Sequence, residues 1–140
     1  MKIAIRYYSK GGNTKKLAEA ISTTLQVPAQ DINIPLEENT DILFLGGAIY
    51  AGKVSQELAY FIEKLTPEAV KKVFVFGSSV SNKTVYSQIQ PLLKKKEVTV
   101  GTDYFNCKGK FLLAFPSHPN QEDCNNIKEF VKTIIEKEGN

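Results

Sequence analysis

The chain has 140 residues, 42% hydrophobic and 24% charged, with Lys+Arg 18 against Asp+Glu 15 and a net charge of +3. These are ordinary globular proportions; they exclude a disordered, collagen-like or fibrous chain and fit one domain over residues 1–140. Arg6 is the only arginine, so no face is loaded for nucleic acid, and the longest apolar run, Ile42 to Gly52, falls far short of the roughly 20 residues of a membrane span.

Ile3–Tyr8 is the first of several short runs rich in β-branched or aromatic residues and without polar alternation. That texture belongs to parallel strands covered on both faces. Leu17, Ala18, Ile21 and Leu25 then share one helical face. A weak strand is read at Pro28–Ile34 and, after a short connection, a strong one at Ile42–Gly47. Leu58, Phe61, Ile62 and Leu65 return to helical spacing, and Val73–Gly77 is the next strand. Thr84–Lys96 reads as a helix that Pro91 must kink or restart, ending on Lys94, Lys95 and Lys96. Looser spacing gives a fifth strand at Val98–Asn106, and Phe111–Phe115 has strand texture as well. The last helix carries the stripe Ile127, Phe130, Val131, Ile134 and Ile135, with Asn120 as its cap and Glu122 and Asp123 in its first turn. The alternation implies an α/β fold: a three-layer, doubly wound, parallel five-stranded sheet with helices on both faces.

In such a sheet, ligands bind beyond the C-terminal ends of the strands. After the first strand come Ser9, Lys10, Gly11, Gly12, Asn13 and Thr14, then a helix. Glycines let the backbone turn its N–H groups inward, hydroxyls and an amide add donors, and the helix start adds positive potential, so the loop suits a phosphate dianion. Lys15 and Lys16 in the first helical turn agree with a bound anion, since cations are otherwise unfavourable there. A plain Gly-rich βα turn has the same composition.

After the third strand come Gly46 and Gly47, then Ala48, Ile49, Tyr50, Ala51, Gly52 and Lys53. Small residues admit a planar ligand, Tyr50 offers a face for stacking, and Gly52 takes positive φ cheaply. After the fourth strand, Ser78, Ser79, Val80, Ser81 and Asn82 offer hydroxyls and backbone to a heterocycle's edge, although Ser/Asn-rich helix entries are common.

Other signatures are missing. There is no G-x-G-x-x-G and no G-x-x-x-x-G-K-[ST]. The first loop has no cysteine, which argues against a cysteine phosphatase. No acid ends strand one or three, which argues against a receiver domain. His118, the only histidine, reads as a loop residue with no triad or zinc cluster around it. Cys107 and Cys124 read as reduced packing residues. The opening MKIAIRYYS lacks a signal-peptide core, so a soluble, cytoplasmic, monomeric chain is expected.

The run Tyr8 to Ala18 resembles the phosphate loop of the flavodoxins, Ser/Thr-x-Thr-Gly-Asn-Thr followed by a helix; Ser9, Gly12, Asn13 and Thr14 match, and Gly11 replaces a usual Thr. The resemblance implies strand order 2-1-3-4-5 with the flavin at the β1/β3 switch point. It also implies non-covalent FMN and electron carriage between a reductase and an acceptor. Ser9, Lys10, Gly11, Gly12, Asn13 and Thr14 would hold the phosphate. Tyr50 would stack on the isoalloxazine, and the backbone from Ala48 through Ile49, Ala51 and Gly52, with Ser78, Ser79, Val80 and Ser81, would meet its edge. A peptide near Ala51-Gly52 would flip to accept the N5–H of reduced flavin. The positive charge, the lack of Trp and Lys53 beside the ring site depart from the acidic pattern of the family. They imply a less negative second reduction step and partners not selected by a basic patch. Two alternatives stand beside the carrier: a small FMN-dependent oxidoreductase of the quinone, nitro or protoporphyrinogen type, and a flavin-free phosphate- or nucleotide-binding module.

Overall fold

The computed structural model describes residues 1–109 and 117–139. The strand expected at Phe111–Phe115 lies outside them. The elements run β1 (Ile3–Tyr7), α1 (Asn13–Leu25), β2 (Ala29–Asp31), β3 (Thr40–Ala48), α2 (Gln56–Glu63), β4 (Val70–Ser79), α3 (Val85–Lys95), β5 (Phe105–Lys108) and α4 (Gln121–Glu138). The sheet has the order β2-β1-β3-β4-β5, and every pairing is parallel. This is the doubly wound arrangement that the alternation and the resemblance imply.

The unbroken apolar runs have a simple cause. Along β3, Ile42 and Phe44 join a core with Leu17 and Ile21 of α1 and Ile127 and Val131 of α4. The intervening Leu43 and Leu45 join another with Leu58 and Ile62 of α2 and Ile89 and Leu93 of α3. Phe74 and Phe76 against Val73 and Val75 repeat the division on β4. Both faces are dry over Ile42–Leu45 and Val73–Phe76, so no position there is left for a polar residue. Each large side chain buried this way contributes about 1.5–3 kcal/mol.

Three elements differ from the sequence reading. The strand expected at Val98–Asn106 forms only at Phe105–Lys108, with an isolated bridge from Val73 to Val100. Gly101 is the cause of the break. A Cβ there would stand 2.2 Å from the Phe74 ring, and the chain beyond it runs exposed through Thr102, Asp103 and Tyr104. The weak strand at Pro28–Ile34 shrinks to Ala29–Asp31. Pro91 neither breaks nor restarts α3, which is one helix across it. Pro91 and Ser87, one turn earlier, are both exposed, so water serves the carbonyl that Pro91 cannot.

The β2–β3 connection contains no helix. Arg6, 5% exposed, holds it from β1: Nε donates to the Ile34 carbonyl (2.9 Å) and Nη2 to the Pro35 carbonyl (2.9 Å). Burial lowers its pKa, and Glu37 partly restores it.

Candidate functional site

The sheet register assembles the site. Tyr7 of β1 pairs with Gly46 of β3, and Ala48 of β3 pairs with Ser78 of β4. The loops after β1, β3 and β4 therefore leave the same edge of the sheet side by side, at the point where the strand order reverses between β1 and β3.

In the first loop, the Gly12 amide donates to Ser9 Oγ (3.0 Å), and Gly12 takes φ +93 as the residue before α1. No side chain caps this helix, so its first-turn amides face the loop with the positive end of the helix dipole behind them. Asn13 and Thr14 are buried in that turn, Thr14 completely. Among the described residues, Thr14 Oγ1 is buried without a hydrogen-bond partner. Lys10 places Nζ 5.5 Å from the centre of the Tyr50 ring, bridging the first loop to the second. Lys16 turns away, and its Nζ donates to the Pro119 carbonyl (2.6 Å). Of the two first-turn lysines, it anchors the segment before α4 rather than serving an anion.

The second loop is a tight hairpin. Tyr50 and Lys53 exchange both backbone hydrogen bonds (2.8 and 3.0 Å), and Ala51 and Gly52 have φ +50 and +81. Positive φ at both central positions defines a type I′ turn. Glycine suits it, whereas Ala51 carries strain of about 1–2 kcal/mol. Gln88 of α3 grips this turn from outside: Nε2 donates to the Gly52 carbonyl (2.6 Å) and Oε1 accepts from the Val54 amide (2.8 Å). Both flanking peptides are tied, which leaves the Ala51–Gly52 peptide as the movable one.

In the third loop, Ser79 Oγ serves the carbonyls of Lys83 (2.7 Å) and Ser81 (3.2 Å), and Ser81 Oγ accepts from the Lys83 amide (3.3 Å). Asn106 of β5 braces the loop by donating to Ser79 Oγ and accepting from the Val85 amide, both at 3.3 Å. Ser78 Oγ, in contrast, is buried without a partner. A Cβ on Gly109 would come within 2.8 Å of Ser78 Oγ and 2.9 Å of Asn13 Nδ2, so the bare glycine lets the first and third loops meet.

The structure thus brings Ser9 to Thr14, Ala48 to Gly52 and Ser78 to Ser81 to one edge, with a division among them. Ile49 packs into the core and gives its amide to the Ser78 carbonyl (3.1 Å). Ile49 and the Ser79 hydroxyl belong to the frame. Gly46 and Gly47 open no space for a planar ligand. A Cβ at the former would meet the Phe76 ring at 2.2 Å, and one at the latter Leu58 at 2.5 Å, so they are core contacts of β3. Gln88, Asn106 and Gly109 were not singled out by sequence. Each acts through contacts to residues distant in sequence, and nothing local marks it.

His118 is in a loop, with Nδ1 2.7 Å from Asp123 Oδ2, and Asn120 and Asp123 form the capping box of α4. Cys107 and Cys124 are free thiols, and burial pushes the Cys107 pKa up to about 12. Among the described residues, no acidic, His and Cys cluster could hold a metal, and no helix is long and apolar enough to cross a membrane.

Residues 4–115 match the family described as Flavodoxin domain. An uncharacterized protein of Methanocaldococcus jannaschii is 29% identical across 96% of this chain and 99% of its own. A flavodoxin of Clostridium beijerinckii is 35% identical over 53% of this chain and 62% of its own. Among solved structures, a flavodoxin from the domain Archaea superposes with a TM-score of 0.78 at 20% identity, covering 98% of both chains.

Proposed function

The chain belongs to the flavodoxin domain family, and from that premise we propose that it binds FMN and carries electrons between redox proteins. The observation that carries the reading is the pair of buried hydroxyls without partners, Thr14 Oγ1 and Ser78 Oγ. A buried hydroxyl left unmatched costs about 1–3 kcal/mol. Thr14 stands in the uncapped first turn of α1 and Ser78 at the end of β4, which Gly109 brings close to Asn13 of that same turn. An anion with several acceptor oxygens would answer both the hydroxyl of Thr14 and the first-turn amides.

In this reading Ser9 to Thr14 hold the phosphate. Ser9 Oγ already accepts from the Gly12 amide and keeps its own proton to donate. Tyr50 offers its ring to the isoalloxazine, and Ala48, the Ala51–Gly52 peptide, Val80 and Ser81 meet the edge through backbone. When bound, the flavin supplies one- and two-electron chemistry. The chain's own part would be to hold it and to present the Ala51–Gly52 peptide, whose carbonyl would accept a hydrogen bond from a ring N–H. The partners are a reductase and an acceptor, met at the exposed edge of the loops.

Titration of the full chain with FMN and with riboflavin, followed by flavin fluorescence, tests the reading. Saturable quenching by FMN is expected, with riboflavin weaker by tenfold or more because it lacks the phosphate; an order of magnitude corresponds to about 1.4 kcal/mol, one charge-assisted hydrogen bond. Equal affinity for the two would remove the phosphate loop from the argument. Steady turnover of NAD(P)H by the loaded chain alone would replace the carrier with an oxidoreductase; reduction only through an added reductase is the carrier's behaviour.

A further inference from the structure

A second concavity lies where the β2–β3 connection meets α2, adjoining the first loop at Tyr8. It measures about 720 Å³, within the range of roughly 300–1,000 Å³ of small-molecule sites. It exists because the connection from β2 to β3 forms no helix, so its segment around Ile32 and Leu36 lies beside α2 with a gap between them. The walls are apolar: Leu36, Phe61 and Leu65. Tyr60 lines the cleft yet is 61% exposed, a placement that core packing does not account for.

The charged groups are mostly acidic. Asp31, Glu38 and Glu57 line the cleft against a single base, Lys64. Six carboxylates elsewhere are paired with Lys or His within 4 Å: Glu37, Asp41, Asp103, Asp123, Glu129 and Glu138. Among the described residues the three in the cleft have no such partner, as is also true of Glu19, Glu63, Glu68, Glu97, Glu122 and Glu136. Glu57 lies beside the Tyr8 hydroxyl and raises its pKa, and Asp31 caps the turn at the Asn33 amide (2.9 Å). On a chain of net charge +3, a cleft lined by three carboxylates against one lysine is locally acidic.

We propose that this cleft is a second binding site, which takes an aromatic organic cation: a ring that packs between Leu36, Phe61 and Leu65, carrying an ammonium or amidinium group toward Glu57 and Asp31 and against the face of Tyr60. Apolar walls take the ring, a carboxylate and an aromatic face both favour the cation, and a neutral or anionic isostere gains only the first of these.

The test uses the ¹⁵N-labelled full chain, with and without FMN, titrated with 2-naphthylmethylammonium, 2-naphthalenemethanol and 2-naphthylacetate, following amide shifts. The cation is expected to bind about tenfold more tightly than the alcohol at low salt, with the acetate weakest, and the preference shrinks as salt rises. Shift changes should centre on the β2–β3 connection and α2, whether or not FMN is present. Glu57→Gln, an exposed change, should cut the preference for the cation, and the triple change Asp31→Asn, Glu38→Gln, Glu57→Gln should erase it while the alcohol still binds. Leu36→Trp should block all three probes. The proposal fails if the probes bind equally, if none binds, if the shifts centre elsewhere, or if FMN displaces the cation, which would make the cleft part of the flavin site. Because the amine titration needs no flavin, failure here and failure of FMN binding are separate results.

Discussion

Thr14 sets stability against binding within one side chain. Its hydroxyl is buried with no partner, so Thr14→Val exchanges an unmet polar group for a methyl of the same shape. The ligand-free chain should gain about 1 kcal/mol, read as a higher urea midpoint, while FMN affinity falls about tenfold. Two changes of the same sign would show that the hydroxyl serves the fold alone. Cys107 gives a second prediction. Burial raises its pKa from 9.0 to about 12, so the folded chain holds a proton that the unfolded chain releases above pH 9. Stability is therefore full below pH 9 and falls as pH rises from 9 toward 12. Cys107→Ser should flatten that fall in chemical denaturation curves, and an unchanged slope would put its cause elsewhere. At this scale the sequence was legible where chemistry is local. Ser9, Gly12, Asn13 and Thr14 are named by the resemblance, and the structure gathers them where β1 turns into α1. Gly46 and Gly47 were not legible, because what fills the space above a glycine is decided by Phe76 and Leu58.

Elements show how a loop becomes a site. The turn at Tyr50–Lys53 is a strained hairpin of only two central residues, and a free hairpin of that size is mobile. Its precision comes from α3, through the two hydrogen bonds of Gln88. Gln88→Ala should raise hydrogen exchange at the Val54 amide about fivefold, the loss of roughly 1 kcal/mol of protection, and should weaken FMN. Gln88→Glu keeps the acceptor for Val54 and loses the donor to Gly52, so it should retain the protection while still loosening the turn. If both variants exchange like the parent, the clamp is not what holds the turn. The central strands and α4 were readable because burial on both faces and a continuous stripe leave strong periodic signals. β5 was misplaced because Gly101 interrupts an apolar run for a tertiary reason, the Phe74 ring above it. α3 passes Pro91 because both Pro91 and the carbonyl it fails to serve face water, which the sequence cannot show.

The whole molecule adds a field to these local parts. The chain is net positive, and three of its lysines lie at the candidate flavin site. Lys10 lies over Tyr50, Lys53 closes the hairpin, and Lys83 Nζ would come within 3.3 Å of a Cβ on Gly52. A fully reduced flavin is an anion, and ammonium groups around it favour the charged form over its protonated or oxidised states. The fold is the one implied by the alternation of strands and helices, but the fold does not set this field; the choice of lysine at exposed loop positions does. The second reduction step should therefore be less negative than in an acidic relative, and the double change Lys10→Gln, Lys83→Gln should make it more negative. Because both lysines are at the surface, the difference between variant and parent should shrink between low salt and 1 M salt, where charges are screened beyond about 3 Å. The same field should speed reduction by an acidic partner and slow it by a basic one, each effect fading as salt rises. Potentiometry of the FMN-loaded chain at two ionic strengths checks the first claim. An identical second step in parent and variant at low salt would show that the ring, not the lysines around it, sets the potential.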